Sequence, residues 1–315
     1  MARGRPGPGA GRWCDVFEIR DFLIQRVFIY LDPIAPPWPN PATVFFPRSS
    51  LKPVQAVAML RAGLDLDGEL LALACASHSG EPFHVDGARR ILAAAGLTEA
   101  DLQNTPALPW DGDAAFAWRV AGNGPASIAQ NCSGKHAAML ATCVGAGWDP
   151  AGYRDPDHPL QRAVAATVAE LTGDGAPGHV TVDGCGAPPF SCTVGGLARA
   201  FARIATAGPG TAEHRVATAI RAHPRWLGGT GRDVTRLIEG VPGLVAKDGA
   251  EGVFAAALPD GGALALKIVD GAARPLPVLV AQALRALGAD APVLDQVGRV
   301  DVLGHREPVG AVRAV

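Results

Sequence analysis

Hydrophobic positions along this chain fall in short blocks, broken by glycine, proline and polar clusters. The run at 27–31 is continuous and apolar, which suits one buried strand. After Lys52-Pro53 the segment 54–60 is helix-permitting; Pro53 falls in the first turn, where N–H groups lack partners anyway, and Gly63 closes the helix. Segment 69–76 is short and apolar and fits strand or helix equally. Segment 84–95 has amphipathic helical spacing and ends at Gly96, and Thr98-Glu99-Ala100-Asp101 reads as the capped start of a short helix. Residues 104–127 read as loop. A long apolar helix opens at Asn131 to His136 and ends near Gly145 or Gly147; others are expected at about 159–171, 194–207, 211–222 and from Arg232.

Strands are expected at 180–182, 244–246, 252–258 and 263–269, with Pro259-Asp260-Gly261-Gly262 as a hairpin turn, before a last helix at about 277–287. This order predicts an α/β fold: an antiparallel sheet formed by both ends of the chain, with helices packed on it. Residues 1–15 alternate Arg, Pro and Gly without periodicity and are expected to be disordered, and the proline-rich stretch 33–41 is expected to be irregular loop. The chain divides into a divergent N-terminal segment, 1–43, and one catalytic domain, 44–315.

Five polar clusters interrupt the apolar pattern: Arg48-Ser49-x-x-Lys52, Ser77-His78-Ser79-Gly80-Glu81, Asn131-Cys132-Ser133-Gly134-Lys135-His136, Asp183-Gly184-Cys185-Gly186 and Lys247-Asp248-Gly249-Ala250-Glu251-Gly252. Each ends an apolar element, where a rigid scaffold can aim polar groups into a common cleft. Ser49 and Lys52 share one helix face, so the amine can take the hydroxyl proton. The same spacing also fits an N-capping serine beside a solvated lysine. Cys132 and Lys135 repeat the spacing at a helix start, and with Cys185 they offer two thiols and an amine, a donor set compatible with zinc. Small buried apolar residues are the alternative for both cysteines, and that is the reading for Cys75, Cys143 and Cys192. Lys267 shares a strand face with Ala265 and Val269, as either a desolvated base or a lysine on a solvated sheet. Asn131 to His136 lacks the upstream glycine and the hydroxyl of a phosphate loop. Gly228-Gly229-Thr230-Gly231 reads as a tight turn.

Composition narrows the class. With 315 residues, 48% hydrophobic and 18% charged, the chain can bury a large core. A formal charge of −2 gives no electrostatic footprint for nucleic acid or a membrane surface. No apolar run reaches transmembrane length, and no secretory h-region stands at the N-terminus. The expectation is a cytoplasmic protein with reduced thiols.

From Phe46 onward the clusters, together with Cys75-Ala76-Ser77-His78-Ser79-Gly80-Glu81-Pro82 and Gly228-Gly229-Thr230-Gly231-Arg232, resemble the asparaginase II family, the Rhizobium-type L-asparaginases, in their actinobacterial branch. The resemblance implies an amidohydrolase that converts L-asparagine to L-aspartate and ammonia. It implies a fold similar to serine β-lactamases and glutaminases, and a homodimer. Carried over, the catalytic pairs are Ser49 with Lys52 and Ser79 with Lys267, and Lys247 competes with Lys267. Arg48, Lys135, His136, Asp183 and Lys247 are the implied substrate-binding residues, with Asp183 near the substrate amino group. Zinc is implied at Cys132, Lys135 and Cys185. Before Val44 the chain departs from the family, lacking its Gly- and His-containing strand pair. The rival functions are a glutaminase or other β-lactamase-like serine hydrolase, and a non-catalytic relative that binds zinc or an amino acid.

Overall fold

The computed structural model describes residues 27–30 and 41–314. Its main sheet has four antiparallel strands in the order β1-β6-β5-β4. These are β1 (Val27–Tyr30), β4 (Val245–Gly249), β5 (Val253–Ala257) and β6 (Ala263–Ile268). Both ends of the chain thus contribute, as expected. Two small ladders lie apart from it: β2 (Val44–Phe45) with β3 (Cys192–Thr193), and β7 (Val300–Gly304) with β8 (Glu307–Val312).

Among the described residues twelve α-helices accompany these strands. The first six are α1 (Lys52–Arg61), α2 (Gly68–Ala74), α3 (Pro82–Ala94), α4 (Gly112–Val120), α5 (Ser133–Ala146) and α6 (Pro159–Thr172). The remainder are α7 (Val194–Thr206), α8 (Ala212–Ala222), α9 (Pro224–Leu227), α10 (Asp233–Gly240), α11 (Leu276–Ala286) and α12 (Val293–Val297). Every residue of β5 is buried, so helices cover both faces of the sheet; α7 and α11 pack on β5 and β6. No helix among the described residues is long and apolar enough to cross a membrane.

Local chemistry accounts for most boundaries. Pro53 sits in the first turn of α1, and Gly147 (φ +69°) and Gly173 (φ +68°) close α5 and α6 in the left-handed conformation. Thr98 and Asp101 form the reciprocal cap expected of them, although the turn they start is a single 3-10 turn. Segment 69–76 resolves to the helix α2.

Three expectations are corrected. The stretch 112–120 is helical, not loop, with Asp111 Oδ1 accepting from Ala114 N at 2.9 Å. None of its residues is buried, so it carries no core-facing stripe to announce it. At 180–182 there is only an isolated bridge from Val180 to Phe190, and Val180 and Val182 are exposed. Finally, α11 is not the last element, because α12 and the β7–β8 hairpin follow it. The disorder expected for 1–15 and all but the last residue of the irregular loop at 33–41 fall outside the described residues.

Candidate active site

Close backbone approaches bring the polar clusters together. The 3-10 turn Arg48–Leu51 leads into α1 and packs on β4, where Ser50 Oγ donates to the Lys247 carbonyl at 3.3 Å. A methyl on Gly249 would stand 2.7 Å from Ser50 Oγ, so only glycine permits that contact. Gly134 does the same for α5: a Cβ there would lie 2.5 Å from Leu73 Cγ. The first turn of α5 therefore lies directly on the end of α2. Cys132 and Lys135 are thereby set beside the 75–81 loop.

Lys52 is 2% exposed, and its ammonium donates to Ser77 Oγ at 3.0 Å, to Cys132 Sγ at 3.1 Å and to the Ala76 carbonyl. The expected partner, Ser49, is part-exposed, and no hydrogen bond joins it to Lys52's amine among the described residues. The reason is geometric: Ser49 belongs to the 3-10 turn and Lys52 begins the α-helix, so the lysine stem runs inward toward the loop after α2.

Ser79 and Lys267 are likewise not hydrogen-bonded to each other. Ser79 Oγ donates to the Gly228 carbonyl at 3.1 Å, and its N–H donates to the same oxygen at 2.9 Å. Lys267 faces Val253 and Phe28 across the sheet, and its amine donates to the Glu251 carbonyl at 2.7 Å. Burial lowers its pKa, against the pull of Glu251 and Asp270. Between Ser77 and Ser79, His78 is fully buried. Its Nδ1 accepts from Gly80 N at 3.1 Å, so the proton sits on Nε2 and is directed at Ser133 Oγ, 3.0 Å away. Burial holds its pKa well below the usual value, which keeps the ring neutral.

Arg48 has φ of +51°, a left-handed conformation that costs a non-glycine residue about 1–3 kcal/mol. Its guanidinium holds Asp183 Oδ1 through Nε (2.9 Å) and Nη2 (2.6 Å), and Glu251 Oε1 through Nη1 (3.0 Å). Gly184 N also donates to Asp183 Oδ1, at 2.7 Å. Asp183 Oδ2 receives no hydrogen bond among the described residues and remains open to a ligand. Partial burial would raise the Asp183 pKa, but Arg48 and Lys135 outweigh it and hold the carboxylate below its usual range.

Lys247 has no exposed surface. Its amine donates to the Asp248 carbonyl at 2.6 Å and also pairs with Asp248 Oδ1. Burial brings its pKa down to about 8, although Asp248 opposes the shift. Asp248 in turn binds Arg232 Nη2 through Oδ2 at 2.6 Å. Arg232 Nη1 reaches the Ser77 carbonyl at 3.3 Å, and its guanidinium lies 4.4 Å above the Trp110 ring.

The thiol cluster forms beneath this region. Lys135 Nζ donates to Cys185 Sγ at 3.2 Å. Cys132 is drawn well below the ordinary thiol range, first by the adjoining Cys185 and, against its own burial, by Lys52 and Lys135. His136 is buried, and its Nδ1 shares a 2.7 Å hydrogen bond with Tyr153. The Tyr153 oxygen accepts from Gln103 N at 3.3 Å, so the tyrosine donates and the imidazole proton sits on Nε2. Burial, with Lys135 adding to it, lowers the His136 pKa to about 4, and the adjoining Cys185 opposes the shift. The cluster thus sets two sulfurs beside Lys135, whose amine burial would deprotonate but Cys185 and Cys132 hold in the ammonium form, and no group of three or more His, Cys, Asp or Glu side chains among the described residues is arranged to hold a metal ion. His136 lies against this cluster rather than against Arg48 and Asp183.

Sequence spacing overlooked Ser77, Arg232 and Asp248. Ser77 stood inside a recognised cluster, but nothing in the spacing told it from Ser79. Arg232 and Asp248 are joined only by the tertiary fold. The chemistry gathered here is a serine hydroxyl held by one buried amine, a second amine of depressed pKa, and a carboxylate with one free oxygen. A comparison with curated proteins finds no match. The model of one family, L-asparaginase II, matches residues 34–314, nearly the whole sequence, and the chain belongs to that family.

Proposed function

We propose that this protein hydrolyses the side-chain amide of L-asparagine to L-aspartate and ammonia through a serine ester. Membership of the family supports a hydrolase acting on amides. The observation that carries the serine chemistry is the 3.0 Å contact between Lys52 Nζ and Ser77 Oγ, within the reach required of a nucleophile and its activating group. In this reading Lys52 orients the Ser77 hydroxyl, and Lys247, which is near enough to feel the charge of Lys52 and loses its own proton at modest cost, is the proposed acceptor of the proton. Ser77 Oγ bonds to the amide carbon, the C–N bond breaks, and ammonia departs with a returned proton. Water then cleaves the ester, restoring the hydroxyl and releasing the carboxylate. Asp183 Oδ2 is the acceptor proposed for the substrate's amino group, with Arg48 fixing the carboxylate. Unpaired N–H groups in the first turn of α5 are the proposed source of oxyanion stabilisation.

The reading keeps the likeness to serine β-lactamases and glutaminases as its scaffold analogy, supported by a helix-covered antiparallel sheet with a lysine on its outer strand. Zinc held by Cys132, Lys135 and Cys185 is part of the proposal: the metal would have to displace the proton by which Lys135 now bonds to Cys185, and it would then fix the first turn of α5 against the 183–187 loop and supply local positive charge. A second reading has an observation of its own. Ser49 is part-exposed, and its hydroxyl makes no hydrogen bond among the described residues, which leaves it available to a substrate.

Ammonia release from L-asparagine and, separately, L-glutamine tests the function. Preferential turnover of asparagine supports it. A folded protein that binds asparagine but releases no ammonia would leave a binding role in its place.

A further inference from the structure

Arg232 lies outside every pair discussed for the chemistry, yet it touches three parts of the site. One nitrogen binds Asp248 Oδ2 at 2.6 Å, another the Ser77 carbonyl at 3.3 Å, and the guanidinium plane covers Trp110 at 4.4 Å. Its side chain is 24% exposed and that of Asp248 19%, so the ion pair is shielded from water. We infer that Arg232 is a positioning residue for the amide hydrolysis, holding Asp248 so that Lys247 and the Ser77 loop keep a fixed relation. This inference rests on Lys247 acting as the base.

Arg232 and Lys247 compete for one carboxylate. Asp248 has two oxygens; Arg232 occupies Oδ2 and Lys247 occupies Oδ1. With Arg232 present, the carboxylate is shared and cannot turn both oxygens toward the lysine. With Arg232 gone, both lone-pair sets fall to Lys247, whose ammonium form is then held more firmly and gives up its proton less readily. The Ser77 carbonyl simultaneously loses the donor that fastens it to the same carboxylate. A planar fork is needed for this, since a point charge can serve the carboxylate but not the carbonyl and the ring together.

Four charged or titratable groups among the described residues bear on Lys247. Asp248 comes from its own strand, Lys52 from α1, and Arg232 from the turn before α10. Cys75, at the end of α2, also senses Lys247, and burial pushes its thiol up to about 12, so it stays neutral. Arg232 is joined by a direct ion pair to Asp248, the acidic neighbour of Lys247 among the described residues.

The test is ammonia release across pH by wild type, Arg232→Gln and Arg232→Lys, alongside isotope-labelled lysine NMR of the same proteins. For Arg232→Gln a roughly 10- to 100-fold fall in kcat is expected, the scale of a small misplacement of reacting groups. KM should change much less, and the acid limb of the pH profile should move to higher pH. The Lys247 resonance should titrate at higher pH in step. Arg232→Lys keeps the charge and should retain the wild-type pH limb while kcat stays low. An unchanged pH limb and Lys247 titration in a folded Arg232→Gln protein would overturn the inference. If the wild type releases no ammonia, the hydrolase reading fails, and the NMR titration still decides whether Arg232 governs Lys247.

Discussion

Lys52 Nζ donates to Ser77 Oγ across 3.0 Å, although the two residues come from different helices' ends and are 25 positions apart in the chain. Replacing Ser77 by Ala should therefore lower kcat by about 1,000-fold or more, as loss of a nucleophile does. Ser49→Ala should cost far less. Initial rates of ammonia release from matched, folded samples check this. A fully active Ser77→Ala protein would transfer the nucleophile's role to Ser49.

Burial sets the pH response of Lys247. Its proton must leave before it can act as a base, so kcat/KM should rise with pH through about 8 and then level off. The unfolded chain holds that proton up to about 10.4, so between about 8 and 10 the unfolded state binds more protons and stability climbs with pH. Lys247→Met should remove both effects. A rate profile with no inflection near 8 would argue against the assignment.

Gly229 has φ of +131°, and a methyl there would stand 2.0 Å from Ser79 Oγ and 2.9 Å from Glu81 Oε2. Gly229→Ala should destabilise the protein by about 1–3 kcal/mol or more, through overpacking and backbone strain. The displaced 77–81 loop should lose activity with it. Thermal unfolding and ammonia release measured together would show this, and an unchanged Tm would mean that the turn yields without cost.

His84 is buried and neutral; its Nε2 donates to the Arg225 carbonyl at 2.9 Å, and its Nδ1 has no hydrogen-bond partner among the described residues. Burial lowers its pKa to about 4. The folded-state value lies below the unfolded one of about 6.5, so its stabilising share is complete above 6.5 and is lost as pH falls toward 4. Urea unfolding at pH 7.5 and pH 5 should show a smaller acid loss for His84→Gln than for wild type. Equal losses would exclude His84 as a source of acid sensitivity.

Zinc content gives a separate check on the thiol cluster. Protein purified without chelators should carry about one zinc per chain, the stoichiometry of a single Cys-Cys-Lys site. Cys185→Ala should abolish it and lower Tm. Metal-free wild type with an undiminished Tm would remove zinc from the proposal.

The elements legible in the sequence were those with a strong period or a defined stop. The helices α3, α6 and α7, the β5–β6 hairpin and the joining of both chain ends in one sheet all follow from such signals. The helix α4 was hidden because it buries nothing, and residues 180–182 misled because valine-rich exposed loops mimic strands. In the site, the clusters were legible but their pairings were not. Ser49 and Lys52 looked like partners because they are three apart, a rule that assumes one continuous α-helix. The change from 3-10 to α between them sends the lysine to Ser77 instead. Arg232 and Asp248 meet only because α10 packs on β4, a contact that no local pattern contains.

Lys247 lies on β4, an edge strand of the main sheet and the first of its three consecutive strands β4, β5 and β6. Its charged neighbour Lys52 comes from far earlier in the chain, and Arg232, paired with Asp248, ties it to the equally distant Ser77 carbonyl. Closing so long a loop is entropically slow, so the site should be among the last features to form and the first to come apart. A nascent chain ending before residue 245 would hold the serines, the thiols, Lys52 and Lys135 but not Lys247. Catalytic activity in this protein would then report on completion of the fold, and a mild denaturant that loosens β4 should silence it while the helical portion still stands.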